Sequence, residues 1–409
     1  MIWGLTISYK EKMILTGKSQ YGLPDSFEVS NTSVGFFGVT RCGKTTQELK
    51  LFEAAKKDRN CLNIVFDIKG EFAEHFYALG DKVISLHQTK AHMEHWNFMR
   101  DIMFAEYPDT AAMELAESVF NEAVSQSSQP FFPKSARTVF EIYLRLMLRK
   151  YPKNSGKIPT NRQVINSLLS FDAEKLINEC APYPELDGIK PLLKGAMSTV
   201  GGIRAELNET LLETFRDDFK ADGSFSICEY VRNCTGTLFL ETSLNELQSS
   251  KNALRILIDL AIKEALSGKA KASRVIFFLD ELPVLGHLQH LPILLNLGAG
   301  YRAYAVIGCQ NISQLNAYGK DEAGMILSGM RTHIVFAAND NDTAEYFSAR
   351  SGKKQRLITS VGLDRKPFNT LSDQPTITTH ELLHGLSTGE AYCFAQDGSI
   401  KYIHFLKGN

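Results

Sequence analysis

From Ser33 onward, short apolar runs alternate with longer stretches whose apolar residues recur every three or four positions. A near-continuous apolar run suits a strand covered on both faces, whereas the longer period suits a helix with one buried face. Strands are therefore predicted at 34–37, 62–66, 83–86, 237–240, 275–279, 303–307 and 334–337. Strands that alternate with helices in this way predict an α/β fold, a mostly parallel sheet flanked by helices.

The alternation stops after Trp96-Asn97. From 98 to 193 the pattern reads as helices only, with Asp109 and Asp172 expected as N-caps and Thr160-x-x-Gln163 as a capping box. This segment is expected to be an inserted all-α domain whose chain returns before Gly201-Gly202, leaving 1–97 and 194–409 to form the α/β domain. One of its helices, from Pro133 to Lys150, puts Ala136, Val139, Phe140, Tyr143, Leu144 and Met147 on one face. Arg137, Arg145 and Arg149 fall elsewhere. They read either as a solvated face or, with Phe131-Phe132-Pro133-Lys134, Lys150 and Lys153, as a surface for an acidic protein tail or a phosphate backbone.

Composition narrows the partners. The 409 residues carry 45 Lys and Arg against 46 Asp and Glu, a net charge of −1, so any contact with DNA must be local. The 7 cysteines include no C-x-x-C pair, which fits reduced thiols rather than disulfides or a zinc site. The apolar start Met1-Ile2-Trp3-Gly4-Leu5 is broken by Ser8, Lys10 and Glu11 before a membrane span could form, so the chain is expected to be soluble.

The most specific chemical signal is Gly38-Val39-Thr40-Arg41-Cys42-Gly43-Lys44-Thr45, a complete G-x-x-x-x-G-K-[ST] followed by Thr46. It lies between an apolar strand and a helix expected to start near Thr45, where backbone N–H groups and the helix N-terminus converge on phosphate. Lys44 is expected to bridge the β- and γ-phosphates of ATP, and Thr45 to ligate Mg²⁺. The strand at 275–279 ends in Asp280-Glu281. Asp280 is expected to hold the Mg²⁺ shell and Glu281 to act as general base. Asp67 closes the strand at 62–66 and reads equally as an orienter of Lys44 or a Mg²⁺ water, or as the cap of the next helix. Gln310, at the end of a further strand, is placed to sense the γ-phosphate, while Asn311 is the more natural helix cap.

Together these residues resemble the coupling-protein ATPases of type IV secretion and conjugation, the TraD/TraG class, within the FtsK and HerA branch of RecA-like motors. The match runs through Gly38 to Thr46, Phe66-Asp67-Ile68-Lys69-Gly70-Glu71, Trp96-Asn97, Phe278-Leu279-Asp280-Glu281-Leu282-Pro283-Val284-Leu285-Gly286, and Gly300-Tyr301 through Gln310-Asn311-Ile312-Ser313-Gln314-Leu315 to Tyr318-Gly319. The resemblance implies a RecA-like core with an inserted helical domain, a ring hexamer, ATP hydrolysis at subunit interfaces, and delivery of DNA, relaxase complexes or effector proteins to the secretion apparatus. It also implies a place at the cytoplasmic face of the bacterial inner membrane. Many members begin with transmembrane helices and this sequence shows none, so it reads as a truncated form or a soluble variant. Where some relatives carry an arginine after the helix that follows Asp280-Glu281, the Walker B strand end, this chain has Ala299, leaving Arg302 and then Arg331 as candidates to reach a neighbour's site. The rival readings are an FtsK/HerA-type DNA translocase outside secretion and a nucleotide-switched recruitment module with little turnover.

Two histidine patterns invite a metal reading. His380-Glu381-Leu382-Leu383-His384 is a literal H-E-x-x-H, but Thr378 and Gly385 bound a helix of barely two turns with no third ligand, so a surface helix between two strands is expected. His92 and His95, with His87 nearby, are expected to lie in a polar loop.

Overall fold

The computed structural model describes residues 12–86, 93–361 and 367–405; His87 and His92 lie outside them. Thirteen strands are described: β1 Ile14–Lys18, β2 Pro24–Glu28, β3 Val34–Phe37, β4 Cys61–Asp67, β5 Lys82–Ile84, β6 Gly236–Glu241 and β7 Arg274–Leu279. The remaining strands are β8 Ala303–Cys309, β9 Thr332–Val335, β10 Lys353–Val361, β11 Pro367–Pro375, β12 Glu390–Phe394 and β13 Ile400–Phe405. The first eleven helices are α1 Lys44–Lys57, α2 Glu71–Phe76, α3 Phe98–Phe104, α4 Pro108–Gln126, α5 Phe131–Lys150, α6 Asn161–Leu169, α7 Ala173–Cys180, α8 Ile189–Leu193, α9 Met197–Thr214, α10 Ile227–Asn233 and α11 Leu247–Leu266. They are followed by α12 Leu282–Leu285, α13 Leu291–Leu297, α14 Gly319–Gly329, α15 Asn341–Arg350 and α16 Thr379–His384. None of the described helices is long and apolar enough to cross a membrane.

The chain forms two compact units. One comprises Met1–Asn63, Ile276–His287 and Leu291–Asn409, the other Ile64–Val275 and Leu288–His290, so β4 and β7 each run across the division. In the first unit the sheet order is β2-β1-β13-β12-β9-β3-β8-β7. Its centre is parallel, β3 lying between β8 and β9 with Phe37 opposite Cys309 on one side and Val335 on the other. All four β3 residues are buried, as a strand covered on both faces requires. The rim is antiparallel: β9 pairs with β12, β12 with β13, and β13 with β1. Strand β1 alternates exposed and buried positions, the signature of a half-covered strand. Apolar rings close the core, Phe52 of α1 meeting Phe278 of β7 edge-on at 5.1 Å and Phe37 lying 5.2 Å from Phe347 of α15.

The second unit carries the parallel β5–β6 pair and the helical excursion. The chain leaves through His95–Asn97 and returns beside it, Asn97 N–H donating to Phe225 O at 2.8 Å and Phe225 N–H to His95 O at 3.1 Å. The run of helices therefore extends past Leu193 to Asn233. Gly201-Gly202, expected to mark the return, sits inside α9 instead. A Cβ on Gly202 would come within 2.5 Å of the Phe132 ring, so glycine here serves helix packing rather than a turn. The six apolar residues expected on one face of α5 are all buried, and so are Ile142 and Leu146, because α5 packs against both α4 and α9.

Capping follows the predicted chemistry at Thr160-Gln163 and Asp172. Asp109 is the exception: α4 starts with Pro108 after Tyr107, and the Asp109 carboxylate instead accepts from Arg145 at 3.1 Å and Arg149 at 2.9 Å. Arg149 also reaches Glu185, and Lys150 reaches Glu179. These cations tie helices of the excursion together. The His380–His384 segment is the six-residue helix α16 between β11 and β12, and Glu381 is committed to a capping box with Thr378.

Candidate nucleotide site

The loop between β3 and α1 takes its shape from two glycines in conformations that side chains rarely adopt. Gly38 sits at φ 146°, where a Cβ would lie 2.7 Å from Phe336, and Gly43 sits at φ 113° as the N-cap of α1. Arg41 shares the positive-φ region at 62°. The loop is pinned on both sides, Val39 N–H donating to Ala337 O at 3.0 Å and Gly389 N–H to Cys42 O at 2.9 Å.

No side chain caps the fourteen-residue helix α1, so its first-turn N–H groups and the positive end of its dipole face the loop. Lys44 is 7% exposed, and its ammonium folds back over the loop to the carbonyls of Gly38 and, at 3.2 Å, Val39. Thr45 hydroxyl donates to Asp280 Oδ1 at 3.3 Å, joining the loop to the end of β7. Glu281, the next residue, is met by Gln310 Nε2 at 3.4 Å from the end of β8. Asn311 is the helix cap, in a reciprocal box with Gln314, which leaves the Gln310 side chain to face Glu281. Lys44, Thr45, Asp280, Glu281 and Gln310 are thus brought together. A cradle of N–H groups, a buried ammonium and a hydroxyl–carboxylate pair are the donor set that a polyphosphate with Mg²⁺ requires, so the residues fit that cofactor.

Two further predicted residues make other contacts or lie elsewhere on their strands. Asp67 Oδ2 accepts from the N–H groups of Phe72 at 3.0 Å and Ala73 at 3.1 Å, so of its two weighed roles the hydrogen bonds serve the cap of α2. Burial pushes its carboxyl above the usual carboxylate range, and neighbouring Glu241 adds to the rise. Arg302 is exposed at φ 58°, just before β8, whereas Gln310 follows its other end. At about 3.3 Å per residue the intervening strand holds them roughly 26 Å apart, so Arg302 does not meet Gln310 or its neighbour Glu281 in its own chain.

One member of the cluster was not anticipated from the sequence. The buried positions of α1 are Lys44, Gln47, Glu48, Leu51, Phe52 and Ala55, an unbroken helical stripe in which Glu48 is 1% exposed. Burial first, and then the nearby Asp280, drives its carboxyl well above the ordinary range, with Lys44 opposing. The signal was the spacing: extending the Leu51-Phe52-Ala55 stripe back by one turn lands on Gln47 and Glu48.

The chain is similar to the coupling protein TraD of Escherichia coli strain K12, 26% identical over 79% of this chain and 44% of that protein. It is also similar to the conjugal transfer protein TraG of Agrobacterium fabrum, 30% identical over 42% of this chain and 26% of that protein. It thus spans less than half the length of these relatives. Among solved structures, unbound bacterial conjugative coupling protein TrwBdeltaN70 superposes with a TM-score of 0.74 over 96% of this chain and 89% of that one, at 19% identity. TrwB in complex with ADP and Mg²⁺ gives 0.72 over 93% and 86%, again at 19% identity. The fold is accordingly that of a RecA-like P-loop NTPase, a large and mostly parallel sheet flanked by helices. The model of the type IV secretion-system coupling protein DNA-binding domain matches residues 19–363, and the chain belongs to that family.

Proposed function

We propose that the chain is the ATP-hydrolysing motor of a type IV secretion coupling protein. The observation that carries this reading is the pair of hydrogen bonds Thr45 to Asp280 and Gln310 to Glu281 at the ends of β7 and β8, on one side of the P-loop strand β3. In it, backbone N–H groups from Gly38 to Thr46, with the flanking side chains of Thr40, Arg41 and Cys42, surround the phosphates. Lys44 exchanges its two carbonyl partners for the β- and γ-phosphate oxygens. Thr45 and Asp280 hold Mg²⁺, which when bound offsets the phosphate charge. Glu281 takes the proton of the attacking water, and Gln310 positions that water against the γ-phosphate. Arg302, remote from its own site, serves a neighbour's in a ring hexamer.

The helical excursion, which includes residues 98–193, is the cargo-recognition element, and the cargo is DNA, a relaxase complex or an effector protein bound for the secretion apparatus. The motor works at the cytoplasmic face of the inner membrane. Paired Arg145, Arg149 and Lys150 leave exposed Phe131 and Lys134 as the more available contacts on α5. Multiple-turnover phosphate release, measured with ATP and Mg²⁺ in the presence and absence of single-stranded DNA, tests the motor reading. Release at the buffer rate under every condition sinks it.

A further inference from the structure

Strands β10 and β11, nine residues each, form a two-stranded ribbon of their own, in antiparallel register from Lys353 opposite Pro375 to Val361 opposite Pro367. No third strand joins this sheet among the described residues, and a two-stranded hairpin alone is marginally stable in water. Its base is nonetheless fixed. Gly352, at φ 73° just after α15, accepts through its carbonyl from Thr376 N–H at 2.9 Å. Buried Ile377 donates its N–H to Ser351 Oγ at 3.0 Å, and its carbonyl accepts from Ser348 Oγ at 2.8 Å. At about 3.4 Å per residue the ribbon that rises from this base is about 30 Å long.

Residues opposite each other in the register share a face. Lys354 opposes Gln374 and Arg356 opposes Ser372, followed by Ile358 with Thr370 and Ser360 with Phe368. That face carries two cations and no carboxylate. Asp373 falls on the other face, opposite Gln355. Lys354 is exposed and makes no ion pair among the described residues. Cations beside amide and hydroxyl groups are the set that contacts phosphate. A two-stranded β-ribbon is also one of the elements that the major groove of B-DNA admits, whereas a single strand offers no groove to hold one.

We propose that the polar face of the β10–β11 ribbon docks on duplex DNA, the ribbon lying in the major groove with Lys354 and Arg356 on the flanking phosphates. This is a local contact of the kind that a chain of net charge −1 needs. It goes beyond the motor reading and does not rest on it: the ribbon belongs to the unit that carries the P-loop, not to the helical excursion.

Fluorescence anisotropy of a labelled duplex of mixed sequence, and of one of its strands alone, is measured with the full chain across a range of salt. Each phosphate contact contributes about 0.9 to the slope of log affinity against log salt on B-DNA. Lys354→Gln is expected to lower the duplex slope by about 0.9, and Lys354→Gln combined with Arg356→Gln by about 1.8. Lys353→Gln removes a cation from the opposite face and is expected to keep the wild-type slope. An unchanged slope in the double variant overturns the proposal. So does an equal fall in Lys353→Gln and Lys354→Gln, an equal fall on the single strand, or a wild type that binds no duplex. Phosphate release without DNA, read on the same samples, tests the motor separately, so either reading can fail alone.

Discussion

At the residue scale the cluster assigns separate roles to neighbouring groups. Lys44 is the only side-chain cation in the loop's interior, and its two partners are neutral carbonyls, so its charge is available to phosphate. Lys44→Ala is expected to reduce affinity for a fluorescent ATP analogue at least 10-fold, the scale of about 1.4 kcal/mol or more that charge-assisted hydrogen bonds carry; unchanged binding places the phosphates elsewhere. Glu281→Gln keeps the shape and the contact with Gln310 but removes the carboxylate proposed as general base. ATP binding should persist while turnover falls by about 100-fold or more. If Asp67→Asn has that phenotype and Glu281→Gln turns over normally, the acidic roles are reversed. The P-loop was legible because its chemistry sits in eight successive residues, and Asp280-Glu281 because two carboxylates close an apolar strand. Glu48 was not, since nothing within its own segment marks it. Only the register of α1 and the approach of β7 and β8 make that carboxyl a buried neighbour of Asp280.

At the scale of elements, the exit and return of the helical excursion are joined by side-chain amides that satisfy backbone groups. Asn161 Nδ2 donates to Trp96 O at 2.8 Å and Phe219 O at 2.9 Å, and its Oδ1 accepts from Phe98 N–H at 3.0 Å. Asn97 caps α3 and donates to Gly223 O at 3.0 Å. Beside them Asp101 accepts from Trp96 Nε1 and Ser226 Oγ, both at 2.6 Å, and from Cys228 N–H at 2.9 Å. Burial outweighs those donors and pushes the Asp101 carboxyl up to about 6 from 3.8. Between these values the folded state binds the extra proton, so this carboxyl's contribution to stability falls as pH rises from about 4 to about 6 and is level above. The thermal midpoint of Asp101→Asn should lack that component of the decline. In a Trp3→Phe background the Trp96 emission should titrate near pH 6, and a flat emission profile refutes the assignment. The buried strands were readable here from apolar runs alone. The antiparallel rim strands β1 and β2 were not, because β2 has one buried residue in five. The far end of the excursion was hidden too, since a paired glycine inside a helix resembles a turn until Phe132 is seen packed against it.

At the scale of the whole molecule, the position of Arg302 turns the chemistry into a question of assembly. Strand β8 is followed by Gln310 at one end and preceded by Arg302 at the other. Arg302 is exposed, and among the described residues it makes no ion pair. A cation delivered in trans is worth about 10³–10⁵-fold where P-loop enzymes use one. Specific activity should accordingly rise with protein concentration through the range where mass measurements show self-association. Arg302→Ala should lower kcat while leaving nucleotide affinity within about 2-fold, because the lost contact forms only in the transition state. Mixing supplies the decisive arm. Lys44→Ala subunits have no working site but carry Arg302, and Arg302→Ala subunits have a working site but no arginine to give. Each variant alone should be nearly inactive, and a mixture should recover activity at the interfaces where an intact P-loop meets an intact Arg302. If the mixture is no more active than the sum of its parts, or if specific activity is independent of concentration, Arg302 does not act on a neighbour.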